Sequence, residues 1–436
     1  MRRTFGCPAR VLVLGIMILL SGGCGRETSE GPATGPAAEP AASIAESRRL
    51  PPPKVFGWRG DGTGSFPETD PPTQWDADED KGIIWETKVG ASYSSPVVVG
   101  DRIFVAAEKD KLLCVDRRNG SVLWEKNNGF AELPEDLKVK EKRPPSDCGF
   151  STPTPVTDGR HIWAVFGTGI VVCYDLDGSR RWVRHFDIPP ATEYGRSASP
   201  VLVGDKLLLT LGHLLAVDPS TGKLLWEAKE AMAGYGTPAV AKIGDVDVAI
   251  TPFGSCVRLS DGRMLTEDVS SLDYNSPIVH EGKVYFVGQV AKAVGLREKG
   301  GDAIECKTLW EVELEGEFYA SPVYHEGTLY VASNEGKLYA LNAKTGETVF
   351  GKQLDIPSAA GMMGMEPANI YPSLAVAGGS IFVGNATGDM LVLQPGTECK
   401  EVSRNILDDG SAACPVFDGR DLFLRGADML YKIGRK

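Results

Sequence analysis

Histidine, cysteine and paired carboxylates are the residues that would carry acid–base, nucleophilic or metal chemistry, and their spacing here supports none of it. The chain has 5 histidines. Two stand in His280-Glu281-Gly282 and His325-Glu326-Gly327, the same string at the same place of successive sequence units, which marks turn residues rather than a shared metal site. His161, His185 and His213 are isolated, and neither His-Glu-x-x-His nor Cys-x-x-Cys-His occurs. Gly60-Asp61-Gly62-Thr63-Gly64-Ser65 has the composition of a phosphate loop, but no strand pattern leads into it and no helix pattern follows, so it reads as an ordinary loop. Of the 9 cysteines, Cys114 and Cys173 fill small apolar strand positions and read as buried free thiols. Cys148, Cys306, Cys399 and Cys414 lie in less regular places where pairing stays open. The expectation is no catalytic residue and no metal site.

A recognition surface is better supported than chemistry. Tyr93, Tyr235, Tyr274 and Tyr319 each stand three residues before a proline that opens a β-rich run, with Asn369 at the same offset in a seventh unit and Tyr194 and Arg196 near a third. If each opening strand is innermost, these residues ring one mouth of a central channel. Exposed aromatics with one arginine suit a peptide or protein partner. The competing reading is that they pack between the tops of neighbouring units.

The elements that would position this ring come from a repeat. A small residue followed by proline recurs as Ser95-Pro96, Thr154-Pro155, Ser199-Pro200, Thr237-Pro238, Ser276-Pro277 and Ser321-Pro322, then as Tyr371-Pro372 and Cys414-Pro415, at a mean period of roughly 46 residues. Within a unit a strand, a glycine-containing turn and a second strand are followed by a third strand and a second glycine turn. Four residues after that second glycine comes a large aromatic: Trp124, Trp182, Trp226 and Phe350. Trp310 follows an enlarged turn, while Gly262 and Gly396 lead to Thr266 and Lys400 instead. A four-stranded unit cannot bury both faces alone, so these rings are expected to fill the wedge against the next unit rather than to bind a ligand. Three strands remain after Cys414, and the missing outer strand lies at the front in Gly82-Ile83-Ile84-Trp85-Glu86-Thr87. The predicted fold is therefore an all-β, eight-bladed β-propeller over 81–436, with seven blades as the alternative, closed by N- and C-terminal strands in one blade.

Composition agrees. With 436 residues, 42% hydrophobic and 24% charged, the chain is not a polytopic membrane protein, and a net charge of -12 argues against a nucleic-acid partner. The 51 glycines exceed the roughly 30 expected at ~7% and fall mostly on the two turns of each unit. Arg2, Arg3, an apolar run over 11–20 and Ser21-Gly22-Gly23-Cys24 have the layout of a signal peptide over 1–23. Residues 24–57, rich in Gly, Pro, Ala and Ser, are expected to form a disordered tether, and 58–80 an irregular lead-in.

Two resemblances extend this reading. The leader resembles that of bacterial lipoproteins, which implies lipidation of Cys24 and an extracytoplasmic protein anchored to the cell envelope, with Gly25 favouring the outer membrane. The string Ala216-Val217-Asp218-Pro219-Ser220-Thr221-Gly222-Lys223-Leu224-Leu225-Trp226 resembles the pyrroloquinoline-quinone (PQQ) repeat with its tryptophan docking motif. Trp58-Arg59-Gly60 looks like the lead-in of PQQ-like propellers of planctomycete-type bacteria. The repeat family includes quinoprotein dehydrogenases, which bind PQQ and a metal, and the BamB-like propeller lipoprotein of outer-membrane barrel assembly, which binds proteins. The adjacent-cysteine disulfide characteristic of the dehydrogenases is absent, and no Glu, Asn and Asp set aligns with their Ca²⁺ site. The expectation is a monomeric, non-catalytic interaction scaffold without cofactor and with envelope or outer-membrane proteins as partners. The alternatives are a PQQ-dependent oxidoreductase with Ca²⁺ and a cell-surface carbohydrate- or polymer-binding propeller.

Overall fold

Short runs of β-branched and leucine residues, broken every few positions by a glycine turn, give antiparallel hairpins. A computed structural model describes residues 55–436 except 78, 80, 138–148, 233, 268, 301–302, 358–367, 408, 411 and 436. The expected signal peptide, Cys24 and most of the 24–57 tether lie outside the described residues, as does Cys148. The described residues belong to one compact unit, Pro52–Lys436. They form eight sheets, each built on four antiparallel strands that, in all but the last, follow sequence order from the inside out. The inner strands of blades 1 to 8 are Val97–Val99, Val156–Thr157, Val201–Val203, Ala239–Ile243, Ile278–His280, Val323–His325, Ala375–Ala377 and Val416–Asp418. In blade 8 the outer strand is Ile83–Lys88, paired with Met429–Ile433, so the ring closes with chain from both ends.

The inner turns need residues in the left-handed, positive-φ region. Glu281-Gly282 and Glu326-Gly327 have φ of 48° and 72°, and 44° and 83°, the two consecutive positive values of a type I′ hairpin that matches strand twist. His280 and His325 are therefore strand ends, and the His280 ring stacks on Tyr324 at 3.6 Å.

The second glycine of each unit is required for a different reason. Every tryptophan of an outer strand lies on the turn glycine of the following blade and donates its Nε1–H to a carbonyl there. Trp85 bonds Arg117 O at 3.0 Å, Trp124 bonds Leu176 O at 3.0 Å and Trp182 bonds Pro219 O at 2.9 Å. Trp226 bonds Leu259 O at 2.9 Å, and Trp310 bonds Ala343 O at 3.0 Å. A Cβ at Gly120, Gly178, Gly222, Gly262 or Gly346 would come within 2.6–3.0 Å of the preceding blade's tryptophan. The turns after blades 4 and 6, which lack a tryptophan, are relaxed: a Cβ at Gly300 or Gly396 would meet nothing within 4 Å. Eight hydrophobic clusters of described residues result, each built from two neighbouring blades, as where Leu208, Leu214 and Ala216 meet Ala249, Val257 and Leu259 around Trp226.

Three seams are closed differently. Phe350 packs against the cluster between blades 6 and 7. In blade 7 the register puts Ser403 rather than Lys400 at the docking position, opposite Val392. Ser403 donates to Thr73 O and Asn405 Oδ1 accepts the Trp75 N–H at 2.7 Å, so Trp75 of the lead-in fills the wedge between blades 7 and 8. The seam between blades 4 and 5, at Thr266, carries two cysteines.

The lead-in is ordered by the ring. Phe56 bridges Thr157 of blade 2, while Ser65–Phe66 adds a parallel strand to Ala375–Ala377 of blade 7. Between them Arg59 is fully buried and donates to Pro322 O at 2.7 Å and Leu374 O at 2.8 Å. Burial lowers its guanidinium pKa to about 10. Gly64, at φ 76°, lies against that guanidinium, which a Cβ would approach to 2.3 Å. The glycine-rich loop thus makes room for Arg59.

Candidate functional site

Seven of the eight inner strands are entered through a buried hydroxyl, and that of blade 8 through Cys414. The backbone N–H of Ser95 donates to Thr154 Oγ1 at 3.0 Å, Thr154 N–H to Ser199 Oγ at 3.0 Å, and Ser199 N–H to Thr237 Oγ1 at 3.0 Å. Thr237 N–H donates to Ser276 Oγ at 2.8 Å, Ser276 N–H to Ser321 Oγ at 3.0 Å, and Ser321 N–H to Ser373 Oγ at 2.9 Å. Cys414 N–H donates to Ser95 Oγ at 2.9 Å. The small residue that precedes the proline in most units is therefore a circumferential hydrogen-bonding belt. Ser276→Ala would leave the buried Thr237 N–H without its acceptor. A loss of about 1–3 kcal/mol in unfolding free energy is expected by denaturant titration; an unchanged midpoint would remove the belt's structural role.

Above the belt the channel widens into a cavity of about 520 Å³. Two residues before each belt position stand Tyr93, Thr152, Ser197, Tyr235, Tyr274, Tyr319, Tyr371 and Ala412, all lining it, with Trp58 of the lead-in also on its wall. Tyr194 completes a continuous aromatic arc. Ring centroids run 6.0 Å from Tyr194 to Tyr235, 5.5 Å to Tyr274, 4.5 Å to Tyr319 and 5.1 Å to Tyr371. Tyr93 stands across Ala412 from this arc and is 49% exposed, against 40% for Tyr194 and for Tyr371. The Tyr194 N–H donates to Tyr235 Oη at 3.0 Å, and Tyr319 Oη donates to Glu317 at 2.9 Å. Burial raises the phenol pKa of Tyr274, Tyr371 and Tyr319, the last helped by Glu317. At neutral pH Tyr274, Tyr319 and Tyr371 therefore present apolar faces and protonated hydroxyls.

Two predicted members stand elsewhere. Arg196 is buried and donates to Leu211 O, Gly167 O and Ile188 O; its task is to satisfy loop carbonyls between blades 2 and 3. Asn369 does not line the cavity. Its carbonyl accepts the Tyr371 and Ala386 N–H groups, and Tyr371 holds the place assigned to it. Tyr371-Pro372 is not the opening of blade 7, because Ser373 is the belt residue and the strand starts at Ala375. The missed signal was the turn: Gly378 follows Leu374 by four residues, as Gly100 follows Pro96.

An eight-bladed propeller with an aromatic, hydroxyl-floored mouth defines the class. The family model described as outer membrane protein assembly factor BamB matches residues 69–304 and 275–398, and the chain belongs to that family. A curated relative, outer membrane protein assembly factor BamB of Yersinia pestis, is 23% identical over 280 residues, covering 52% of this chain and 69% of that protein. Among solved structures, BamB from Moraxella catarrhalis superposes with a TM-score of 0.59 at 15% identity, covering 81% of this chain and 99% of that one. A europium-containing methanol dehydrogenase reaches 0.58 at 12% identity, covering 87% and 98%. The quinohemoprotein alcohol dehydrogenase from Comamonas testosteroni reaches 0.53 at 12%, covering 87% and 81%. These likenesses establish the fold.

The dehydrogenase neighbours raise the question of a quinone and a hard cation. Calcium takes six to eight oxygen ligands, with carboxylates prominent among them. The described lining of the mouth offers hydroxyls, phenols, one indole and one thiol, with no carboxylate, and no trio of His, Cys, Asp or Glu suited to a metal occurs among the described residues. The donor set does not fit that pair.

Proposed function

We propose that the chain is a non-catalytic propeller, lipid-anchored through Cys24 on the extracytoplasmic side of the cell envelope, that holds a protein partner at its tyrosine mouth and works in outer-membrane assembly. Membership of the BamB family supports the setting. The observation that carries the recognition role is the unbroken five-tyrosine arc above a hydroxyl-lined cavity. Rings held against one another lose little conformational entropy when a partner docks, and tyrosine is favoured at interface centres for that reason. Protonated phenols donate to the carbonyls of an extended polypeptide, while the faces cover its apolar side chains. Affinity capture of the full chain from solubilised envelope is expected to enrich outer-membrane assembly proteins. Their absence, with the chain intact and membrane-associated, would count against the assembly role.

A further inference from the structure

The seam between blades 4 and 5 is the one where a docking aromatic is replaced by neither phenylalanine nor a lead-in tryptophan. Thr266 pairs with Cys256 where Trp226 pairs with Ala216 and Trp124 with Cys114, so a short side chain leaves the wedge unfilled. Blade 5 compensates by extension. Its outer hairpin, Val290–Glu298 with Ile304–Glu313, continues past the bulge at Ala293/Val294 with Gly295, Leu296, Arg297 and Glu298 still paired. The extra arm lies over blade 4: Ile304 joins Ile243, Val248 and Cys256 in one cluster, with Val246, Leu265, Leu296 and Cys306 packed against it. Glu298 accepts the Asp245 N–H at 3.3 Å. This packing sets Cys306 against the cluster that holds Cys256, beside the strand that carries Thr266.

We propose that Cys256 and Cys306 form an inter-blade disulfide, a covalent clip at the seam where the tryptophan clamp is missing. It rests on the extracytoplasmic reading for its oxidant, a dithiol–disulfide exchange protein or a small disulfide. Cys306 is half-buried and Cys256 is buried, which sets the order of events. Hydrogen bonds from Cys256 and Thr266 lower the Cys306 pKa to about 7, whereas Cys256 is pushed up. The Cys306 thiolate attacks one sulfur of the oxidant, forming a mixed disulfide and expelling the other sulfur as thiolate. Cys256 passes its proton to a departing thiolate and attacks Cys306 Sγ, releasing the second thiol. The two protein thiols lose two electrons and two protons, and the oxidant's disulfide is reduced to two thiols. Cys114, Cys173, Cys399 and Cys414 are buried in separate seams or at the belt and take no part.

The test uses the purified full chain in reduced/oxidised glutathione buffers, followed by alkylation and peptide mass spectrometry. A 256–306 cross-linked peptide and loss of two alkylatable thiols are expected, with a melting temperature raised by about 5 °C over the reduced protein. Cys306→Ser should fold and lose the redox dependence of its melting temperature. Both thiols remaining free in oxidising buffer, or a different pair forming, would overturn the clip. A parallel assay of whole cells with a membrane-impermeant thiol reagent, directed to a cysteine placed at Val122, reports the compartment separately. Failure of the localisation therefore cannot be confused with failure of the pairing.

Discussion

Gly262→Ala is expected to destabilise the propeller by about 2–4 kcal/mol although it adds one methyl group. Two costs combine. Gly262 has φ of 76°, where an L side chain costs roughly 1–2 kcal/mol. The new Cβ would lie 2.7 Å from the Trp226 ring, so the indole must leave its place and lose the 2.9 Å bond to Leu259 O. Trp226→Ala removes the same clamp from the other side and should cost about 3–5 kcal/mol. Gly300→Ala is the internal control: its φ is 81° but its Cβ would meet nothing, so only the backbone term of about 1–2 kcal/mol should be lost. Denaturant unfolding of the three variants decides the matter, and equal losses for Gly262 and Gly300 would show that the turn, not the clamp, needs glycine.

Tyr235→Ala with Tyr274→Ala should weaken partner binding by about 30- to 1000-fold, as removal of two central aromatic anchors at roughly 1–2 kcal/mol each implies. The two rings stand side by side in the arc at 5.5 Å and above the belt rather than in a seam. Thermal stability should fall only slightly, and a titration of the captured partner against wild type and double variant separates the two effects. Unchanged affinity would move the interface away from the mouth.

Much of this architecture is legible in the residues. The glycine turns, the alternation of the strands and the aromatics that follow the second glycine specify blades, and the strand at Trp85 specifies the closure. Tyr93, Tyr235, Tyr274 and Tyr319 could be placed because their offset from the opening proline is the same in four units. Tyr371 escaped because the proline of its unit sits two residues early, and proline was a less reliable ruler than the belt hydroxyl, whose hydrogen bond fixes the register. Arg196 was misplaced because neither charge nor sequence position reveals that three loop carbonyls lie within its reach. Trp75 and the Cys256–Cys306 contact depend on register and on chain distant in sequence, so only the three-dimensional arrangement exposes them.

The central claim is that the tyrosine mouth holds a polypeptide. Site-specific incorporation of a photoreactive phenylalanine at Tyr93 or Tyr371, and at the outer-strand residue Val122, which is 43% exposed, tests it in the native envelope. Cross-links to a defined protein from both mouth positions and none from Val122 are predicted. Cross-links from Val122 alone, or equal yields at all three positions, would contradict it.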